Sequence, residues 1–266
     1  MITITVNDDD AAAVTAANLS TLGGKTAGTV TVTNAVAITG TTAEVTAALV
    51  TAGTLVVVSD AAVTITNTPT IAELNAIAAK TTGVVTATLA ANSLSNLGAL
   101  TTEGTDAITI TVNDANEAAL TAANLSTLGG KTAGTVTVTN AVAITGNHDQ
   151  VTAALVTAGT KVEVDDATVT INDANATDIT AAELSAIGGK TAGTVTVTNA
   201  VAIEGTAAEV TAALVTSGTK VEVDDAAVTL TTTPTIAALN LIAAETTVVV
   251  TATLAADSLA NLGALN

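Results

Sequence analysis

The chain has 266 residues, with 24 Asp and Glu against six Lys and a formal net charge of −18. It contains no Phe, Tyr, Trp or Cys, while hydrophobic residues make up 48%. Such a charge excludes a phosphate-binding footprint and with it nucleic acid as a partner, and the missing aromatics exclude the usual large blocks of buried area.

A core built from Ala, Val, Leu and Ile must be long and thin, and internal repetition supplies one because each unit needs only its neighbours. The absence of Cys fits an exported protein built without disulfides, and equally a cytosolic or artificial chain. Apolar runs are short and interrupted by Thr, so no membrane insertion is expected. No signal peptide is visible, since Met1 leads straight into a strand-like run.

That first run, Ile2-Thr3-Ile4-Thr5-Val6, reads as a strand. Thr15 to Gly40 then recurs without change at Thr121 to Gly146, and most of it returns at Gly188 to Ile203. A second type of segment begins at Ile71 and recurs at Ile236. Met1 occupies the place that Ala107 holds in the later copy. The expectation is a single elongated repeat domain over 1–266, a fragment of a longer array.

A finer period runs inside these copies. Gly28, Gly53, Gly83, Gly104, Gly134, Gly159, Gly193 and Gly218 each precede a Val- or Ile-rich run, at intervals between 21 and 34 residues. The first full unit shows the pattern. Thr29-Val30-Thr31-Val32-Thr33 alternates with period two and reads as a strand. Asn34 makes a corner, as Asp60, Asn140, Asp165, Asn199 and Asp224 do later. Val36-Ala37-Ile38 gives a second short strand. Thr41 with Glu44, and Thr206 with Glu209, have capping-box spacing and open helices of about ten residues. Val45, Ala48, Leu49 and Ala52 form an inward stripe, and the next Gly ends the helix.

These units predict an α/β right-handed solenoid of about ten strand–(strand)–helix coils, leucine-rich-repeat-like in outline. An all-β helix is the alternative. Stacked at about 4.8 Å, the coils would form a rod roughly 45–50 Å long.

Four sets of residues are candidates for function. Gly23-Gly24-Lys25-Thr26 invites a phosphate-loop reading, but Leu19 stands where that motif needs Gly, and the run closes a helix instead of opening one. His148, the single histidine, falls in the first turn of a helix and reads as a solvated surface position. If segments stack in register, Asp60, Asp114, Asp165, Asp166, Asp224 and Asp225 lie along one or two edges. Stacked carboxylates repel, and an oxygen-ligated Ca²⁺ would relieve them. Thr29, Thr31 and Thr33, with Thr135, Thr137 and Thr139 and with Thr194, Thr196 and Thr198, form an outward rank. That rank resembles the faces of ice-binding β-solenoid proteins. It is interrupted where Lys161, Glu163, Lys220 and Glu222 take the outward places.

Thr180-Ala181-Ala182-Glu183-Leu184, Lys80-Thr81-Thr82-Gly83-Val84-Val85 and Val201 to Val210 resemble stretches of giant bacterial exported or cell-surface proteins. Those proteins carry Ala/Thr/Val-rich tandem arrays of adhesin or surface-layer type. The resemblance covers nearly the whole chain and rests on composition. It implies an extracellular or cell-surface location and a structural spacer or fibre that associates end to end. No catalytic constellation is legible, so an enzyme is not expected. A binding module using the Thr face, for ice, mineral or carbohydrate, is the alternative.

Overall fold

The computed structural model describes residues 1–266. From the N-terminus it carries β1 (Ile4–Val6), β2 (Ala13–Thr15), α1 (Ala16–Gly23), β3 (Val30–Val32), β4 (Ala37–Gly40) and α2 (Thr42–Leu49). There follow β5 (Val56–Val57), β6 (Ala62–Ile65), α3 (Ile71–Ala78), β7 (Val85–Thr88), α4 (Leu94–Leu97) and β8 (Ala107–Val112). Next come β9 (Ala119–Thr121), α5 (Ala122–Gly129), β10 (Val136–Val138), β11 (Ala143–Gly146), α6 (His148–Val151) and β12 (Val162–Val164). The chain continues through β13 (Thr168–Ile171), β14 (Asp178–Thr180), α7 (Ala181–Gly188), β15 (Val195–Val197), β16 (Ala202–Gly205) and α8 (Ala207–Val210). It ends with β17 (Val221–Val223), β18 (Ala227–Leu230), α9 (Ile236–Ala243), β19 (Val250–Thr251) and α10 (Leu259–Leu262).

Local chemistry explains these elements. In β3 the two valines are buried and Thr31 between them is half-buried, the one-sided pattern that period-two alternation imposes. Capping boxes open α2 (Thr41 with Glu44), α3 (Thr70 with Glu73), α6 (Asn147 with Gln150), α7 (Thr180 with Glu183) and α8 (Thr206 with Glu209). On α2, Val45, Ala48 and Leu49 are fully buried. Ala52, the fourth member of the expected stripe, is exposed in a separate 3₁₀ turn, Ala52–Thr54. The helix stops at Leu49, so Gly53 does not end it.

The expected solenoid of about ten strand–(strand)–helix coils is corrected by the sheet topology. The protein is α/β with four separate sheets, in the orders β1-β3-β5, β12-β10-β8-β7-β6-β4-β2, β17-β15-β13-β11-β9 and β14-β16-β18-β19. Their pairings are parallel. Ten helices accompany them, which excludes the all-β alternative as well. The physical reason lies in the unequal segments. Most contribute two strands, but the stretch from Gly83 to Gly104 contributes one (β7) and that from Gly159 to Gly193 three (β12, β13 and β14), so strands that are copies in sequence join different sheets. β3 belongs to the three-stranded sheet, while β10, identical to it in sequence, belongs to the seven-stranded one.

Contacts divide the chain into two compact units. The first is Met1–Asn113 with Thr127–Thr137 and Gly159–Lys161; the second is Asp114–Ser126 with Val138–Ala158 and Val162–Asn266. Within the first unit β4 lies between β2 and β6, which sets Ile38 beside Val14 and Val63. Backbones there approach closely: a Cβ on Gly134 would lie 2.4 Å from the Ile108 carbonyl oxygen, so only glycine fits. Within the second unit β11 lies between β9 and β13 and sets Ile144 beside Leu120 and Val169. In the same unit β16 sets Ile203 beside Ile179 and Val228. Each such valine, leucine or isoleucine, once buried, contributes about 1.5–3 kcal/mol.

Candidate functional site

The most regular polar arrangement is a threonine hydroxyl that ties a segment to the one preceding it. Thr26, Thr81, Thr132, Thr191 and Thr246 donate to the carbonyls of Ile2, Ala61, Ile108, Ala167 and Ala226 at 2.5–2.7 Å. The same oxygens accept the N–H groups of Gly28, Gly83, Gly134, Gly193 and Val248 at 2.8–3.2 Å. Sequence reasoning missed this set. Its signal was present as Thr two residues before Gly28, Gly83, Gly134 and Gly193.

Asparagines make comparable links. Asn34, Asn140 and Asn199 donate through Nδ2 to the carbonyls of Asp8, Asp114 and Asp173, at 2.5, 2.6 and 2.6 Å. Asn75 is bidentate: its Nδ2 donates to the Ala99 carbonyl at 2.9 Å, and its Oδ1 accepts the Thr101 N–H at 2.8 Å. Asn34, Asn140 and Asn199 thus hold backbone as well as turn it, and Asn75 holds it from within α3.

Two buried carboxylates, neither singled out by the sequence, organise the interior. Asp106 in the first unit accepts the N–H groups of Val85 (2.8 Å) and Glu103 (3.0 Å). Its own carbonyl accepts the Thr132 hydroxyl at 3.0 Å. Asp173 in the second unit accepts the His148 N–H through Oδ2 and meets His148 Nδ1 through Oδ1, both at 2.7 Å. His148 is therefore not the solvated surface residue expected: its side chain is only 13% exposed, and Asp149 Oδ1 lies 3.4 Å from its Nε2. The matching position elsewhere carries Thr42, whose N–H and hydroxyl both meet Asn67 Oδ1, at 2.6 and 2.9 Å. His148 and Asp173 thus elaborate a recurring link between a helix start and the strand end one segment later. No nucleophile lies in hydrogen-bond contact with the imidazole, so the pair has the geometry of a tether.

The acidic corners distribute along strand ends. Asp60 receives the Ser59 hydroxyl at 2.9 Å, and the main-chain carbonyls of Asp165 and Asp224 accept Ala192 and Thr247. Asp166 and Asp225 are exposed, and Asp114 is half-buried beside Asn140. No three His, Cys, Asp or Glu side chains come together in a group able to hold a metal ion.

The outward threonines occupy strand positions. Thr31 lies between Thr5 and Val57, and Thr196 between Thr170 and Glu222. Thr29, Thr33, Thr139, Thr194 and Thr198 are exposed, while Thr135 and Thr137 are half-buried. Thr33 and Thr198 also donate to the carbonyls of Val6 and Ile171, at 3.2 and 3.3 Å.

Gly23-Gly24-Lys25-Thr26 closes α1, with the Gly24 N–H returning to the Ser20 carbonyl, and the copy at Gly188-Gly189-Lys190 closes α7 in the same way. No helix is long and apolar enough to cross a membrane. No family model, curated protein or solved structure matches the chain.

Proposed function

We propose that this protein is a non-catalytic structural element, a segment of an extracellular or cell-surface spacer or fibre that associates end to end. The observation that supports this reading most is the repeated threonine tie. Five hydroxyls at equivalent places each join one segment to the segment before it and are saturated by backbone partners. Groups used in this way resist deformation and are not free for chemistry. The buried carboxylates serve the same end. A net charge of −18 keeps Val-rich segments soluble at high local concentration.

Surface labelling tests the reading. Antibody to the protein should decorate intact source cells, and deletion of the gene should remove a fibre or layer visible by electron microscopy. Label confined to permeabilised cells, with an unchanged envelope after deletion, would overturn it.

A further inference from the structure

The first unit contains an interface whose two halves are both repeated at exposed edges. Inside it, β8 pairs with β7 in the register Thr86–Ala107, Ala87–Ile108 and Thr88–Thr109. The Leu89 and Asn92 N–H groups donate to the carbonyls of Thr109 and Thr111 at 3.0 and 3.1 Å, and the Asn113 N–H returns to Asn92 at 3.0 Å. Lys131 Nζ adds a bond to the Gly98 carbonyl at 2.8 Å, at the end of α4. Ile108, Ile110 and Val112 from one side, and Leu94, Leu97 and Leu100 from the other, are buried there.

The sequence of the β7 side, Ile71 to Leu100, returns at Ile236 to Leu265, with VVTATLAA intact at Val249 to Ala256. The sequence of the β8 side, ITITVND at Ile108 to Asp114, returns at Ile2 to Asp8, and Lys131 returns as Lys25. In these second copies each half is a sheet edge. β19 is the last strand of its sheet and β1 the first of its own. Of the six apolar residues that the internal interface buries, the copies Ile2, Leu259 and Leu265 are exposed and Ile4, Val6 and Leu262 are half-buried. Ile108 is 0% exposed and its copy Ile2 is 68% exposed; Leu94 is 5% exposed and its copy Leu259 is 87% exposed.

We infer that the C-terminal edge of one molecule docks on the N-terminal edge of a second copy and rebuilds the β7–β8 interface between chains. This names the partner in the end-to-end association proposed above and rests on that reading. Thr251, Ala252 and Thr253 of one copy then lie beside Met1, Ile2 and Thr3 of the next, and Lys25 reaches the Gly263 carbonyl. Because the two edges differ, the contact is heterologous, and copies join head to tail. Within the chain, Asp106 supports the internal interface through the Val85 N–H. Charge repulsion opposes the contact between chains, so added salt strengthens it.

The full chain has no cysteine, which makes the register directly testable. A Thr3→Cys/Thr253→Cys double variant, mildly oxidised in about 0.5 M salt, should give a ladder of disulfide-linked dimers, trimers and longer species. Each single variant should stay unlinked. Leu259→Asp, at an exposed position, should leave the folded spectrum unchanged and weaken association seen by sedimentation at least about tenfold. Sedimentation as a monomer at every concentration and salt, or single variants that link as readily as the double, would overturn the inference. Association without the Thr3–Thr253 bridge would overturn this register and leave the surface-fibre reading standing. Interior-only labelling of cells would overturn that reading and leave the bridge intact.

Discussion

His148 Nδ1 lies 2.7 Å from Asp173 Oδ1, and the same carboxylate accepts the His148 backbone N–H, so one buried side chain holds both the ring and the first turn of α6. Thr42 and Asn67 make the neutral version of this link in the first unit. The pair can therefore be exchanged as a unit. His148→Thr/Asp173→Asn should unfold within about 1 kcal/mol of the parent, whereas Asp173→Ala should cost about 2–3 kcal/mol because it leaves a buried donor unpaired. Urea unfolding of His148→Thr, Asp173→Asn and the double variant gives the coupling energy.

Asp106 is the comparable fastener of the first unit. It is buried and accepts two backbone N–H groups, from Val85 and Glu103. Asp106→Ala orphans both donors and should destabilise the protein by about 3 kcal/mol. Asp106→Asn keeps one acceptor and turns an amide toward the other N–H, so its unfolding midpoint should fall between those of the parent and the Ala variant.

Glycines before strands differ in what they tolerate. A Cβ at Gly134 would meet the Ile108 carbonyl oxygen at 2.4 Å, while one at Gly159 would meet nothing within 4 Å. Gly134→Ala should lower stability by more than about 2 kcal/mol through backbone displacement. Gly159→Ala should be neutral or raise it by a few tenths of a kcal/mol, up to about 1 kcal/mol. Calorimetric midpoints of the two variants decide this.

Three equivalent turns hold a non-glycine residue in the left-handed region: Ala11 at φ 60°, Glu117 at φ 62° and Ala176 at φ 61°. Their N–H groups donate to Ala35, Ala141 and Ala200 at 2.7–2.8 Å, which fixes that conformation. Left-handed φ costs an L-residue about 1–2 kcal/mol, part of which glycine gives back as unfolded-chain entropy. Ala176→Gly should thus stabilise the protein by up to about 1 kcal/mol, measured by urea unfolding.

Capping glutamates make stability sensitive to acid. The backbone N–H of Thr41, Thr70 and Thr206, followed by the hydroxyl of the same residue, holds Glu44, Glu73 and Glu209 below the ordinary carboxylate value. Glu183 is lowered first by the Thr180 hydroxyl, against its partial burial. A folded-state value below the unfolded one stabilises at neutral pH, and that contribution disappears as pH falls through the carboxylate range. Gln150 caps α6 in the same way without charge. Replacing the four glutamates by Gln should therefore give a protein less stable than the parent near neutrality. The gap should close on acidification toward about pH 3, as thermal melts at several pH values will show.

Much of the local structure was legible. The Thr41–Glu44 and Thr206–Glu209 boxes open helices as their spacing requires, and the Val30/Val32 alternation gives a strand with one buried face. His148 was misread because its partner is 25 residues away. Asp106 was missed for the same reason, with contacts 21 and 26 residues distant. A lone Asp carries no mark in sequence that separates a buried acceptor from a turn residue.

The chain by itself determined where strands, helices and corners form, because alternation, capping and turn chemistry act over two to four neighbouring residues. The identical stretches Thr15–Gly40 and Thr121–Gly146 give the same local elements in the same order. Only the tertiary structure decided which sheet each strand joins, placing β3 in the three-stranded sheet and its copy β10 in the seven-stranded one. Backbone N–H and C=O groups along a strand edge are chemically alike, so pairing follows whichever edge the neighbouring segments bring alongside.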